Sequence, residues 1–336
     1  MNPATSDNLR KKAGEAIRAI ASALYDTHTD DFSLMYGNTG IALFLFHYWQ
    51  WRKQNSFYKK AAELINRVFV DLSKQIHLNM QHDTLPVDLS FSSGLCGIGW
   101  ALDYLTKNEF IECDMQESMC MIDAAIYRNM VHGLYSEDQK EIKEAMAAGI
   151  YAVNRDDRLS KEYLRRFVNE WTTLTVSNRH STFINFIREN SETATFLRNR
   201  ITEKYPDIIP LSANNIPRTA GENHACTDSE IQFFQEQIPT LTVCSGLARG
   251  LAATGYRLNR KYRQTGIAEF RSMAETCFTT LLERMSLNKS DFWFTASQGL
   301  WRRHDGLANG IAGIGMALLT IVTDEILAWD ECLFVL

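Results

Sequence analysis

The sequence predicts an all-α fold: an α/α toroid, a double ring of about six to seven helical hairpins. Two observations carry this. Four glycine-bearing frames each open an apolar run: Gly37-Asn38-Thr39-Gly40-Ile41-Ala42, Gly94-Leu95-Cys96-Gly97-Ile98-Gly99, Gly246-Leu247-Ala248-Arg249-Gly250-Leu251 and Gly306-Leu307-Ala308-Asn309-Gly310-Ile311-Ala312-Gly313. The frames at 37 and 94, and those at 246 and 306, are separated by a period that fits one helical hairpin per repeat. Glycines three or four apart share a helix face, where missing side chains allow close packing. Each hairpin buries its apolar face only against its neighbours, so the ring must close for stability.

The elements follow in order. Asp7 to Tyr25 has helical spacing (Leu9, Ala13, Ile17, Ile20, Leu24) and reads as an outer helix. The first frame opens an inner helix, Ile41 to Trp51. Phe57 to Ile76 repeats the outer type, and the second frame opens Trp100 to Leu105. A third outer helix spans about Met115 to Met130, with a weaker inner partner at Ala145 to Ile150. Lys161 to Leu174 reads as a fourth outer helix, partnered by Thr182 to Ile187 without a glycine. Proline is nearly absent from these runs, as long helices require. The stretch at about 205–243 is an irregular or reduced repeat, with Pro206, Pro210 and Pro217 and a short helical pattern at Glu230 to Gln237. The spacing of the frames leaves roughly one hairpin missing between residues 190 and 244. Regularity returns with the frame at 246, an outer helix from Ile267 to Met285, and the last frame.

Residues 1–336 therefore read as a single domain. A hydrophobic content of 45% supplies a sizeable core and argues against disorder. The net charge of −5 speaks against a dominant nucleic-acid role. The basic run Arg257 to Arg263 reads as a solvated helix end. No signal peptide is visible behind Arg10, Lys11 and Lys12, and the apolar run Ile311 to Val322 is short of the roughly 20 residues a membrane span needs. Seven scattered cysteines make no disulfide framework, so a reducing, cytoplasmic setting is expected.

Several stretches resemble the lanthionine synthetase C (LanC)-like family. Leu89 to Leu102 is similar to its "SGLAGIGxAL" repeat, Asp305 to Gly315 to its "EGIAGIG" repeat, and Trp329-Asp330-Glu331-Cys332-Leu333 to its "WDxxL" tail. The resemblance implies a role in lanthipeptide or other modified-peptide biosynthesis. Its chemistry is the addition of a cysteine thiol to a dehydroamino acid. A zinc ion held by two Cys and one His lowers the thiol pKa. The first Cys comes from a "WCYG" frame and the other two ligands from a "CHG" frame.

Val243-Cys244-Ser245-Gly246 stands where "CHG" would be, with Cys244 matching the ligand and Ser245 replacing the histidine. A neutral hydroxyl is a poor zinc ligand. "WCYG" has no counterpart. A second alignment sets Gly246 to Gly250 against the family's "GLAHG", with Arg249 replacing its histidine. Otherwise that histidine falls near Asn178, beside His180, and the family's supporting aspartate falls near Ile142, beside Glu141. The expectation is a degenerate zinc cyclase site, no bound cofactor, and action by binding a precursor peptide or a dehydratase-type partner enzyme.

The remaining candidates keep alternatives open. His224, Cys226 and Cys244 form the right ligand set for a rebuilt zinc site, and hence for an active lanthionine-forming cyclase. H-x-C is not a recognised ligand spacing, however, and ordinary loop residues are the simpler reading. Cys96 reads as a buried structural thiol. His180 and Glu141 are weak acid–base candidates, His180 being equally well a core histidine. Asp305 reads as a helix N-cap. The cluster Trp293, Phe294, Trp301, Arg302, Arg303 and His304 fits either a ring mouth or core packing. A glycan-active toroid would need two facing carboxylates, for which Asp88, Glu141 and Asp305 are candidates. Finally, Cys244, Ser245, Gly246, Asn309, Cys96 and Asn38 are expected at one end of the central cavity, where helix N-termini favour an acidic or carbonyl-bearing ligand.

Overall fold

The computed structural model describes residues 3–82, 88–177, 180–208, 227–238, 245–248, 250–287, 295–297, 300–302, 304–323 and 328–335. The chain divides into two compact units, one of Met1–Val70 with His224–Ala328, the other of Asp71–Asn223 with Trp329–Leu336. No helix among the described residues is long and apolar enough to cross a membrane.

The first unit holds α1 (Pro3–Tyr25), α2 (Asn38–Arg52) and the start of α3 (Asn55–His82). The second begins within α3 at Asp71 and continues through α4 (Leu95–Lys107), α5 (Met115–His132), a 3-10 turn at Gly133–Tyr135, α6 (Gln139–Arg155), α7 (Arg158–Ser177), α8 (Ser181–Glu189) and α9 (Ser191–Lys204). The chain then returns to the first unit with α10 (Thr227–Gln237), α11 (Leu251–Thr265), α12 (Ala268–Leu287), the short strands β1 (Thr295–Ser297) and β2 (Leu300–Arg302), and α13 (Ile311–Val322). A 3-10 segment, Ala328–Val335, follows.

In the first unit α13 packs against α1, α2 and α11. Its sequence, IAGIGMALLTIV, has no polar face, and it is buried from Ile311 to Thr320. A helix apolar all round must be surrounded. The same holds for α2, buried from Asn38 to Tyr48. At Gly315 a Cβ would overlap the Phe44 ring, so glycine sets how closely α13 approaches α2. By contrast α1 buries one stripe, Leu9, Ala13, Ile17, Ile20 and Leu24, as an outer helix should. The hairpin α11–α12 turns at Gly266, whose φ of 73° is the left-handed conformation that glycine adopts without a Cβ penalty.

In the second unit α6 is central, packing against α4, α5, α7, α8 and α9. Asp114 and Asp138 cap α5 and α6, their side chains accepting from Gln116 N and Lys140 N at 3.0 and 2.8 Å. The C-terminal carbonyls of α6 are covered by cations: Lys204 Nζ donates to Val153 O at 2.8 Å and Lys107 Nζ to Asn154 O.

The structure corrects the sequence reading in three places. Residues 191–204, placed in the stretch of the missing hairpin, form α9, which buries Ala194, Leu197 and Ile201 at helical spacing. The inner partner around Ala145 to Ile150 is the middle of a 17-residue helix, α6. The pair β1–β2, antiparallel with Ala296 opposite Trp301, interrupts the helices before the last frame.

Candidate functional site

Two frames are preceded by the same pattern, Asp-x-Ser-x-x-x-Gly, at Asp31/Ser33/Gly37 and Asp88/Ser90/Gly94. Each aspartate Oδ1 accepts the N–H of the serine two residues on at 2.8 Å, an Asx turn. Each glycine N–H donates to that serine's carbonyl, at 3.2 and 3.0 Å. The next N–H, of Asn38 or Leu95, returns to the aspartate carbonyl at 2.8 or 2.9 Å. A Cβ at Gly37 or Gly94 would overlap that carbonyl. The frame glycines therefore serve first to let a knotted loop sit against the helix start, and only second to pack helices. The last frame repeats the register with His304, whose carbonyl accepts from Ile311 N at 2.9 Å.

In the first unit three frames are held together by backbone. Ala308 N donates to Met35 O at 2.9 Å, and Ala248 N to Ala308 O at 2.7 Å. A Cβ on Gly246 would lie 2.9 Å from Asn309 Cα. Ser245 bridges to Gly250, and its carbonyl accepts from Ala252 N at 3.3 Å. The starts of α2, α11 and α13 thus meet, with Ser245 buried, Asn309 exposed and Tyr36 half exposed at 51%. Their first-turn N–H groups carry partial positive charge. Asn38, only 4% exposed, donates from Nδ2 to Thr29 O at 2.9 Å, while its buried Oδ1 has no hydrogen-bond partner.

Among the expected site residues, Ser245, Gly246, Asn309 and the loop carrying Asn38 share this meeting point. Cys96 belongs to the second unit. Cys244, His224 and Cys226 lie outside the described residues, as do Arg249, Asn178, Trp293, Phe294 and Arg303. Among the described residues no group of three His, Cys, Asp or Glu side chains is arranged to hold a metal.

In the second unit Cys96 starts α4 and is fully buried. Burial, reinforced by the Glu144 and Asp88 carboxylates, pushes its thiol well above the ordinary value, so it is a thiol and not a thiolate at neutral pH. Burial alone would raise the Asp88 carboxyl, but hydrogen bonds from Ser90 and Ser93 hold it below the ordinary range. Glu141 is exposed; the acidic group facing inward is Glu144, one turn on, whose carboxyl burial pushes up against the opposing Lys140. Its spacing of four and seven residues from buried Ala148 and Tyr151, on the apolar face of α6, was the signal for it.

His180 caps α8: Nδ1 accepts from Phe183 N at 3.1 Å and Nε2 lies 3.0 Å from Tyr135 O. Asp305 does not cap α13, whose N-cap is Gly310; its Oδ2 accepts from Thr27 Oγ1 at 3.2 Å. The last frame's loop is longer than a one-turn cap allows, which is why that expectation fails. Sequence reasoning also passed over His47, buried in α2, whose imidazole burial pushes down to about 4.

No curated protein matches this chain. The family profile described as lanthionine synthetase C-like protein matches residues 28–305. That span includes the first three frames and ends where the fourth begins. With most of its length matched and its two units built from packed helices, the chain belongs to the lanthionine synthetase C-like family, whose fold is the α/α toroid.

Proposed function

We propose that this chain is a peptide-binding member of its family, serving modified-peptide biosynthesis with a degenerate zinc cyclase site. The observation that carries the reading is the meeting of three helix starts around Gly246, with Asn309 and Tyr36 exposed there. First-turn N–H groups of all three helices already bond to their own loop carbonyls, so direct ligand bonds fall to the exposed side chains of Asn309 and Tyr36. A side-chain amide and a phenol offer both donors and acceptors, which match a peptide backbone.

The zinc of the family's cyclases is held by two Cys and one His. Here Ser245 takes the histidine's place and is only 6% exposed. A neutral hydroxyl does not supply the charge or basicity that zinc requires. This donor set does not fit the metal. The ligand is a precursor peptide, and a dehydratase-type enzyme acting on the same peptide is the natural partner.

The test is capture of precursor peptides encoded beside the gene by the immobilised protein. Cys244→Ala leaves capture nearly intact. Gly246→Trp, which drives a large side chain against Asn309 and Ala308, abolishes it. Equal capture by a folded Gly246→Trp protein would place the site elsewhere.

A further inference from the structure

At the C-terminal ends of α11 and α13, a cleft of about 460 Å³ opens between these helices, α1 and α12, wholly within the first unit. That volume falls in the range of roughly 300–1,000 Å³ typical of small-ligand sites. Its floor is apolar, with Ala274 and Phe278 buried at 3% and 2% exposure. Among the described residues its charged lining is unequal: Arg10, Arg263 and Arg271 line it together with one carboxylate, Glu275. In a chain of net charge −5 this is a local reversal of sign.

Arg263 and Arg271 are fixed in place. Arg263 Nη2 donates to Thr320 O at 2.6 Å and Thr323 O at 3.1 Å, at the end of α13. Arg271 Nε pairs with Glu275 Oε1 at 3.0 Å, and its guanidinium lies 5.5 Å from the centre of the Tyr262 ring. Holding a planar, five-donor fork in one orientation reduces what is lost on forming a bond to a carboxylate. A positively charged rim over an apolar floor fits an anionic group on an apolar body. The cleft is too small for a duplex, and the chain's overall charge repels polyanions.

We propose that this cleft binds an acidic segment of the peptide, seating an aliphatic side chain on Ala274 and Phe278 and a carboxylate on the arginine rim. The proposal rests on the peptide-binding reading above and adds a second contact, separate from the glycine-frame site. Such a two-point arrangement raises overall affinity through effective concentration without new chemistry at either point.

The probe is a capped pentapeptide alternating leucine and aspartate, titrated calorimetrically into the full-length protein. Binding is expected, weakening as salt rises, because exposed charges are screened. The asparagine version of the peptide binds at least about tenfold more weakly, the loss expected when charge-assisted bonds become neutral ones. The Arg10→Gln/Arg271→Gln protein, its helicity checked by circular dichroism, shows the same loss, whereas Gly246→Trp binds the pentapeptide normally. Equal binding of the asparagine peptide, or unchanged binding by the double variant, overturns the proposal. Loss of pentapeptide binding in Gly246→Trp alone would assign the acidic segment to the frame site, overturning this inference and not the earlier one. Normal pentapeptide binding with failed precursor capture would do the reverse.

Discussion

Removing Arg155 should destabilise the second unit more than any surface change. Its guanidinium, 4% exposed, lies 2.9 Å from Asp123, 3.3 Å from Asp157 and 3.6 Å from Asp103. Nη2 also donates to Met115 O at 3.2 Å, and Tyr151 OH donates to Asp123 Oδ1 at 2.5 Å. Arg155→Met keeps the aliphatic packing but leaves Asp103 and Asp123, at 7% and 6% side-chain exposure, without their shared cation. Breaking a buried pair from one side costs about 3–5 kcal/mol. The loss should depend on pH. Burial already pushes both carboxyls above their ordinary value, against the opposing Lys107 and Arg155. A raised carboxyl contributes stability that is full below its unfolded pKa and disappears as pH rises through its folded value. Without Arg155 the two rise further, so the variant's deficit is smaller at pH 5 than at pH 8. Urea unfolding by circular dichroism at both pH values, with hydrogen exchange of α5 to α7, measures this. Asp123→Asn in the variant background should recover part of the loss. A deficit below about 1 kcal/mol, or one equal at both pH values, would refute the reasoning.

Three further outcomes follow from other parts of the molecule. Gly94→Ala forces the loop off the Asp88 carbonyl and breaks its two backbone bonds, costing about 1–3 kcal/mol. Gly266→Ala, with nothing within 4 Å but φ of 73°, should cost only about 1 kcal/mol of backbone strain; comparison of urea midpoints separates the two. Among the described cysteines, iodoacetamide labelling at pH 8 followed by mass spectrometry should modify exposed Cys120 first. Cys96 and Cys277, the latter pushed up to about 12 by burial, should react only on unfolding. His47 is depressed in the fold to about 4, so its contribution is present above the unfolded value of 6.5 and lost as pH falls toward 4. The loss amounts to about 3 kcal/mol at one unit per 1.36 kcal/mol, and His47→Gln should flatten that part of the stability–pH curve.

The helices were legible because their burial is periodic. The stripe of α1 and the all-apolar α13 are written directly in the chain. The helix α9 was not, because it buries only Ala194, Leu197 and Ile201 and is otherwise polar, so its pattern is weak beside its neighbours. The frames were found, but the role of Gly37 and Gly94 depends on loops returning seven residues, a contact no helical periodicity encodes. For the site, Ser245, Gly246 and Asn309 were grouped from frame equivalence alone. The orphaned oxygen of Asn38 and the inward turn of Glu144 depend on neighbours from other segments. The arginine cleft was invisible for the same reason, Arg10 of α1 being far in sequence from Arg263 and Arg271 of the α11–α12 hairpin.

The central claim is that this family member has given up the zinc chemistry and kept the peptide. Metal analysis of protein purified without chelator tests it most directly. The account predicts zinc far below one equivalent, unchanged by Cys244→Ala. Near-stoichiometric zinc that disappears with Cys244→Ala would contradict it and restore the cyclase.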